Sequence, residues 1–339
     1  MSSSDRSRKA NGERIAELAR RIPVNRSTVT AAGRLSTAAA LRRVPFPLRP
    51  PTVPGGVVVP TPKSTLGANY DTEWARRYPA RMARVLMLEG VVKPAMQVLA
   101  APTLRGLDRL TDLEGPAVFA ANHHSHVDTP LVLSSIPEPW RHHIVIGAAA
   151  DYFFGNRLTA PLSALVIGAI PIERTKVGRK SADDAAALID EGWSMLIFPE
   201  GGRSPDGWGQ EFRGGAAYLA LRCGVPVVPI HVEGTGRILR KGRSVPRRSS
   251  TTITFGRPLR PTEDEDSRRF AARIEAGVAA LADEDATDWW QARKRAYAGE
   301  SPSLQGPELG AWRRTWALGD RGPRRGRTTK TRWPDLDEH

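Results

Sequence analysis

The sequence predicts an α/β domain, a mostly parallel sheet flanked by helices, with an N-terminal amphipathic helical segment and disordered basic tails. Two observations predict it: short apolar runs of strand length recur along the middle of the chain, and longer stretches with helical periodicity alternate with them. The strand-like runs are 117–121, 143–147, 166–172, 195–198, 226–232 and 251–255; the helical stretches are 128–136, 179–191, 213–223 and 267–282. The run through Phe198 stops at Pro199, as a buried strand would. Val225-Pro-Val-Val-Pro-Ile230 is bracketed by prolines, which cannot donate to a ladder, so it reads as an edge strand or a strand entrance. Residues 82–101 read as two amphipathic segments kinked at Pro94.

At 339 residues the chain has ample length for a core. The expected division is a disordered basic tail at 1–66, a folded domain at 67–300 with its motif core at 115–235 and amphipathic helices at 72–101, and a second basic tail at 301–339. Residues 1–66 hold twelve Lys and Arg against three acids, and residues 313–334 hold eight against one. Residues 335–339 add three acids and no Lys or Arg, so of the formal net charge of +14 residues 67–312 carry only +1. Flexible basic tails suit an anionic membrane surface, and on charge alone they suit nucleic acid equally well.

The single cysteine, Cys223, excludes an intramolecular disulfide and fits a reducing compartment. Residues 1–50 are Arg-rich with no apolar segment after them, so no leader is expected. The longest uncharged apolar stretch, Leu158 to Ile172, is interrupted by Pro161 and Pro171 and falls short of the ~20 residues a spanning helix needs. The expected place is the cytoplasm, peripherally on the inner face of the membrane.

Chemistry concentrates in two blocks. Residues 122–128 read Asn-His-His-Ser-His-Val-Asp at the exit of the first apolar run, where open α/β sheets gather ligand sites. His123 as a general base held by Asp128 is one reading. A pair five apart lies about 140° apart on an ideal helix, so His123 must sit on the turn and Asp128 in the helix after it. His124 and Asp128, four apart, could instead share a helix face. The string His124-x-His126-x-Asp128 also resembles half of the metallo-β-lactamase zinc signature, although Thr129 stands where that pattern has His. Only His142, His143, His231 and His339 remain to complete a site needing about three protein ligands.

The second block, Phe198-Pro-Glu200-Gly201-Gly202-Arg203-Ser204, followed by Phe212-Arg-Gly-Gly215, offers flexible backbone and a guanidinium fork that suit a phosphate. Between the two lies Ile170-Pro-Ile-Glu-Arg174, another apolar strand ending in charge.

Taken in order, Asn122-His123-x-Ser125-x-x-Asp128, Ile170 to Arg174, Phe198 to Ser204 with Phe212 to Gly215, and Val225 to Ile230 resemble the four blocks of the glycerolipid acyltransferase family, over residues 80–285. Its best-known members are the 1-acylglycerol-3-phosphate acyltransferases. The resemblance implies an O-acyltransferase that moves a fatty acyl group from acyl-CoA or acyl carrier protein to a glycerophospholipid precursor. The first acceptor it suggests is 1-acyl-sn-glycerol 3-phosphate, giving phosphatidic acid. It implies no cofactor beyond the thioester co-substrate, no metal, and no specific nucleic acid. It makes His123 the general base of an HX4D motif and Asp128 its orienting partner. Arg174, Glu200, Gly201 and Arg203 fall at acceptor-binding positions, where the arginines would hold a phosphate.

Ser125 then reads as a cap for the helix after it rather than a nucleophile. Two departures bear on the acceptor: Gly202 stands where the family has Thr, and His124 and His126 are not required by the pattern. Glycerol 3-phosphate or a glycolipid stays open as acceptor. Two other classes compete: a zinc hydrolase using His124, His126 and Asp128, and a nucleic-acid-binding protein working through the tails.

Overall fold

The structure, a computed structural model, describes residues 66–172, 179–204, 207–239 and 245–306. The tails at 1–65 and 307–339, and Arg174, lie outside the described residues. The strands are β1 Pro102–Arg105, β2 Val118–Ala121, β3 Ile144–Ala149, β4 Ala169–Ile172, β5 Ser194–Ile197, β6 Val227–Glu233 and β7 Thr251–Phe255. The α-helices are α1 Tyr78–Met87, α2 Lys93–Ala100, α3 Asp128–Ser135, α4 Ala150–Phe153, α5 Thr159–Val166, α6 Arg179–Asp190, α7 Gly215–Cys223, α8 Thr235–Ile238, α9 Ser267–Ala286 and α10 Trp289–Ala298. One sheet runs β1-β7-β6-β2-β5-β3-β4, parallel at every junction except β6–β7.

Side chains alternate across the sheet, as the two-residue period of a strand requires. Phe119 and Ala121 join one buried cluster with Leu131, Leu133, Ile144, Ile146, Leu196 and Ile230, while Val118 and Ala120 join another with Val145, Met195, Ala216, Phe270 and Ile274. Both faces are therefore covered, the first by α3 and the second by α6, α7 and α9. Helix α9 buries Phe270, Ile274, Val278 and Leu281 along one stripe. Asp266 caps it by accepting the backbone N–H groups of Arg268 and Arg269 at 2.9 and 2.8 Å.

Several elements depart from the sequence reading. β6 lies third in the sheet, between β7 and β2, and is not an edge. Pro226 precedes the strand, and Pro229 stands one residue before the first antiparallel pair, Ile230 with Phe255. Its carbonyl accepts the Gly256 N–H at 2.8 Å on that side, in the gap between the Ile230–Phe255 pair and the isolated Val227–Leu259 bridge, where the ladder is interrupted and no strand donor is needed. The run 166–172 divides into the end of α5, a left-handed Gly168 and β4. Residues 301–306, placed in the C-terminal tail from sequence, pack on the domain: Gly209 donates to the Leu304 carbonyl at 2.8 Å and Leu304 lies against the second cluster.

Around Pro94 the backbone remains helical. A π-turn over Leu88–Val92 joins α1 to α2 and carries the chain past the proline's missing N–H. Leu88 and Met96 are buried, while Met82, Leu86, Val91 and Val98 stay exposed. Arg84 on α1 is buried and donates to the Ile144 carbonyl at 2.8 Å; burial pushes its guanidinium down to about 10. Among the described residues no helix is long and apolar enough to cross a membrane.

Candidate active site

β2 lies between β5 and β6 and runs parallel to both, so the loops leaving β2 and β5 meet at one edge of the sheet. Ala120 pairs with Ile197, which sets Asn122-His123 beside Phe198-Pro199. Asn122 closes the other side: its side chain donates to the Val232 carbonyl at 2.9 Å and accepts the Val232 N–H at 2.7 Å. The turn is thus tied to β6 by a two-way amide pair.

His123 sits on that turn and Asp128 opens α3, the arrangement the five-residue spacing requires. Nδ1 of His123 lies 2.8 Å from Oδ2 of Asp128. The same carboxylate oxygen accepts the backbone N–H groups of His124 at 2.6 Å and Ser125 at 2.7 Å. The fully buried Asp128 therefore shapes the turn as well as holding the imidazole. The His123 ring stacks on Phe198, centroids 4.3 Å apart and planes 25° apart.

The second block grips the first by its backbone. Glu200 accepts the His123 N–H at 2.8 Å, and the Ser204 N–H donates to the His123 carbonyl at 2.8 Å. The other oxygen of Glu200 accepts the Gln210 N–H at 3.1 Å. Burial pushes the Glu200 carboxyl up to about 8, against the pull of these two N–H donors and with help from the nearby Asp128 and Glu275 charges. Glu200 is only 2% exposed, with both oxygens engaged by backbone. The carboxylate that the sequence places at an acceptor-binding position is thus also the group that holds the His123 and Gln210 backbone.

Gly201 has φ +69°, a left-handed conformation, and a Cβ there would come within 2.9–3.0 Å of the Arg213 guanidinium. The sequence gives Arg213 no role beyond its place in the second block; the structure lays its charge on the glycine turn. Neither Arg203 nor Arg213 has a side-chain hydrogen bond or ion pair with another described residue. Beside Glu200 an open cleft of about 800 Å³ is lined by Gln210, Arg213, Ser267, Arg268 and Glu275.

Of the predicted site residues, His123, Asp128, Glu200, Gly201 and Arg203 share this edge. The three zinc-reading side chains turn to different partners: the Nε2 atoms of His124 and His126 lie 3.4 Å from the Asn122 amide nitrogen and 3.2 Å from the Tyr152 hydroxyl, and Asp128 holds His123. They do not converge as ligands, and His231 is committed elsewhere, with Nδ1 2.6 Å from Asp285. His124 does not share a helix face with Asp128; only its backbone N–H reaches that carboxylate. Ser125 accepts the Val127 N–H at 3.2 Å inside the turn and donates to the Leu239 carbonyl at 2.9 Å, while the residue preceding α3 is Val127. It braces the turn against the end of α8 and is not the N-cap.

Residues 101–233, from the start of β1 to the end of β6, match the acyltransferase family. The chain carries an acyltransferase-family domain. It resembles 1-acylglycerol-3-phosphate acyltransferases: it is 32% identical over 142 residues to a chloroplastic 1-acyl-sn-glycerol-3-phosphate acyltransferase of Brassica napus, covering 41% of this chain and 39% of that one. It is 30% identical over 177 residues to a 1-acyl-sn-glycerol-3-phosphate acyltransferase of Chlamydomonas reinhardtii, covering half of each. The chain thus spans about two fifths to half the length of these curated relatives. Among solved structures it is similar to the 1-acyl-sn-glycerophosphate acyltransferase PlsC of Thermotoga maritima, with 23% identity, TM-score 0.48, and coverage of 63% of this chain and 83% of that one. The acyltransferase domain holds His123, Asp128, Glu200, Gly201, Arg203 and Arg213 within its matched span.

Proposed function

We propose that this chain transfers a fatty acyl group from an acyl thioester, coenzyme A or acyl carrier protein, to the free hydroxyl of 1-acyl-sn-glycerol 3-phosphate, giving phosphatidic acid. The observation that carries this reading is the His123–Asp128 pair at 2.8 Å on the β2 exit. With Nδ1 turned to the carboxylate, Nε2 is the nitrogen left to take a proton. As the acceptor oxygen attacks the thioester carbonyl, its proton passes to Nε2. Collapse of the tetrahedral intermediate breaks the C–S bond, and the imidazolium returns the proton to the leaving thiolate. Asp128 holds the tautomer and offsets the charge that develops on the ring. No covalent enzyme intermediate and no resident cofactor enter this scheme.

Glu200, held up to about 8, is mostly uncharged at neutral pH, so it adds little repulsion toward an anionic acceptor beside it. Arg203 on the glycine turn supplies a fork that fits phosphate. The exposed apolar side chains Met82, Leu86, Val91 and Val98 favour peripheral membrane contact.

The test is thiol release from oleoyl- or palmitoyl-CoA with 1-acylglycerol 3-phosphate in EDTA, beside His123→Ala and His124→Ala. Acceptor-dependent release lost only with His123 supports the assignment. Release that survives His123→Ala, or that needs added zinc and His124, removes it.

A further inference from the structure

Acyl transfer by the His123–Asp128 pair leaves His126 without a task, although it sits in sequence between the base and its carboxylate. It does not hold the turn: Asp128, Ser125 and Glu200 do that. Its ring lies instead against Tyr152 on α4, centroids 5.4 Å apart and planes 17° apart, with Nε2 3.2 Å from the Tyr152 hydroxyl. α4 comes directly after β3, so Tyr152 rises from the same sheet edge as His123, and it is more than half exposed.

We propose that His126 and Tyr152 act with Arg203 as a polar clamp for the phosphate monoester of the acceptor, and so set the preference for phosphorylated over uncharged acceptors. This rests on the acyl-transfer function.

The hydrogen inventory suits the role. The pair has one N–H and one O–H, and only one is spent between them. Either the Tyr152 hydroxyl or the His126 Nδ1–H therefore remains to donate outward. The local field suits it too. Burial first, then the charges of Arg203 and His123, hold the His126 imidazole below its ordinary range; the Asp128 charge opposes them, but that carboxylate is already committed to His123 and to the turn. An arriving phosphate therefore meets two or three donors, and among the described residues Asp128 is the one carboxylate whose charge acts on His126.

An amphiphilic acceptor also needs apolar ground beside its head group. Leu158, 84% exposed, and Leu162, 58% exposed, lie just before and within α5, the helix that comes after α4 and packs against it. A single acyl chain attached to the clamped head group can lie there.

The experiment compares kcat/KM for 1-acylglycerol 3-phosphate and for 1-acylglycerol at saturating oleoyl-CoA, in the full chain and in His126→Phe and Tyr152→Phe. Both substitutions keep a ring to stack and remove only the polar atoms. The expected result is a fall of about tenfold in the preference for the phosphorylated acceptor in each variant, seen in the acceptor KM rather than the thioester KM, the size of one lost bond to a charged group. A preference left at the wild-type value in both variants overturns the clamp. So does a wild-type enzyme with no phosphate preference. Transfer that persists in His123→Ala would sink the acyl-transfer function itself, whatever the two phenylalanine variants do.

Discussion

The backbone N–H of His123 donates to the Glu200 carboxylate at 2.8 Å across 77 positions of sequence. That bond joins the histidine block to the glycine-arginine block, so the height of the base above the sheet is set by a buried acid on another loop. The same residue returns the contact through its carbonyl, which accepts from Ser204. Misplacing either block moves the other.

Glu200 makes stability depend on pH with a definite sign. Its carboxyl is raised to about 8 in the folded protein by burial, above the ordinary value of 4.5. A raised acid contributes stability that is fully present below the unfolded value and is lost as pH rises through the folded one. Wild-type stability measured relative to Glu200→Gln should therefore fall between pH 4.5 and pH 8, by a total on the order of a few kcal/mol. Urea denaturation of both proteins at about pH 5 and about pH 8.5, near the two ends of that window, checks this. A difference that stays constant across the two conditions would show that Glu200 is ionised throughout.

Asp128→Asn separates charge from shape. Oδ2 accepts three hydrogens, while Oδ1 is buried without a partner. An asparagine can keep its oxygen at the first position and place its amide at the second, so the turn survives and the negative charge does not. The expected outcome is a fall in kcat of roughly 10²–10⁴ with acceptor KM little changed. Circular dichroism should show an intact fold. Equal losses in kcat and in folded fraction would make Asp128 structural only.

The sequence shows the site more clearly than its surroundings. β2 and β5 are apolar runs stopped by Asn122 and Pro199, and their boundaries are plain because the chemistry begins where the strand ends. β1 escapes because Pro102–Arg105 is a short edge strand with mostly exposed side chains and no apolar alternation. α5 escapes because Thr159–Val166 is apolar on nearly all sides and carries Pro161, so helical periodicity has nothing to show. The central place of β6 is invisible for another reason: whether Pro229 is tolerated depends on where the neighbouring ladder stops, which is a tertiary fact. Tyr152 and Arg213 are equally hidden. Each is one residue in an ordinary context until the fold sets it beside His126 or Gly201.

Gly201→Ala tests the second block directly. The residue holds φ +69°, and a Cβ would push into the Arg213 guanidinium. Left-handed backbone costs a non-glycine residue about 1–2 kcal/mol, so thermal stability should fall modestly. Activity should fall further, by at least roughly tenfold in acceptor kcat/KM, because the turn carries Arg203 and displaces Arg213. Arg213→Ala combined with Gly201→Ala should recover part of the stability by removing the obstruction. Double-variant stability equal to the sum of the two single losses would show that side chain and turn are not in contact.

Leu86 on α1 is 70% exposed and Val98 on α2 is 57% exposed, although both helical segments bury other residues firmly, Leu88 and Ala100 among them. Charges at these two positions should leave the fold nearly untouched, within about 0.5 kcal/mol, since surface sites away from caps and cores rarely matter more. Insertion of such a side chain into the interfacial region of a bilayer is worth about 1.5–3 kcal/mol, so each charged substitution removes a factor of roughly ten or more from membrane partitioning. Leu86→Asp with Val98→Asp should therefore lower co-sedimentation with anionic phospholipid vesicles at physiological salt while thermal unfolding stays in place. High salt weakens any contribution of the basic tails and leaves this apolar one, so the contrast between wild type and variant should persist in about 0.5 M NaCl. Undiminished vesicle binding by the double variant under those conditions would take membrane contact away from this helical face.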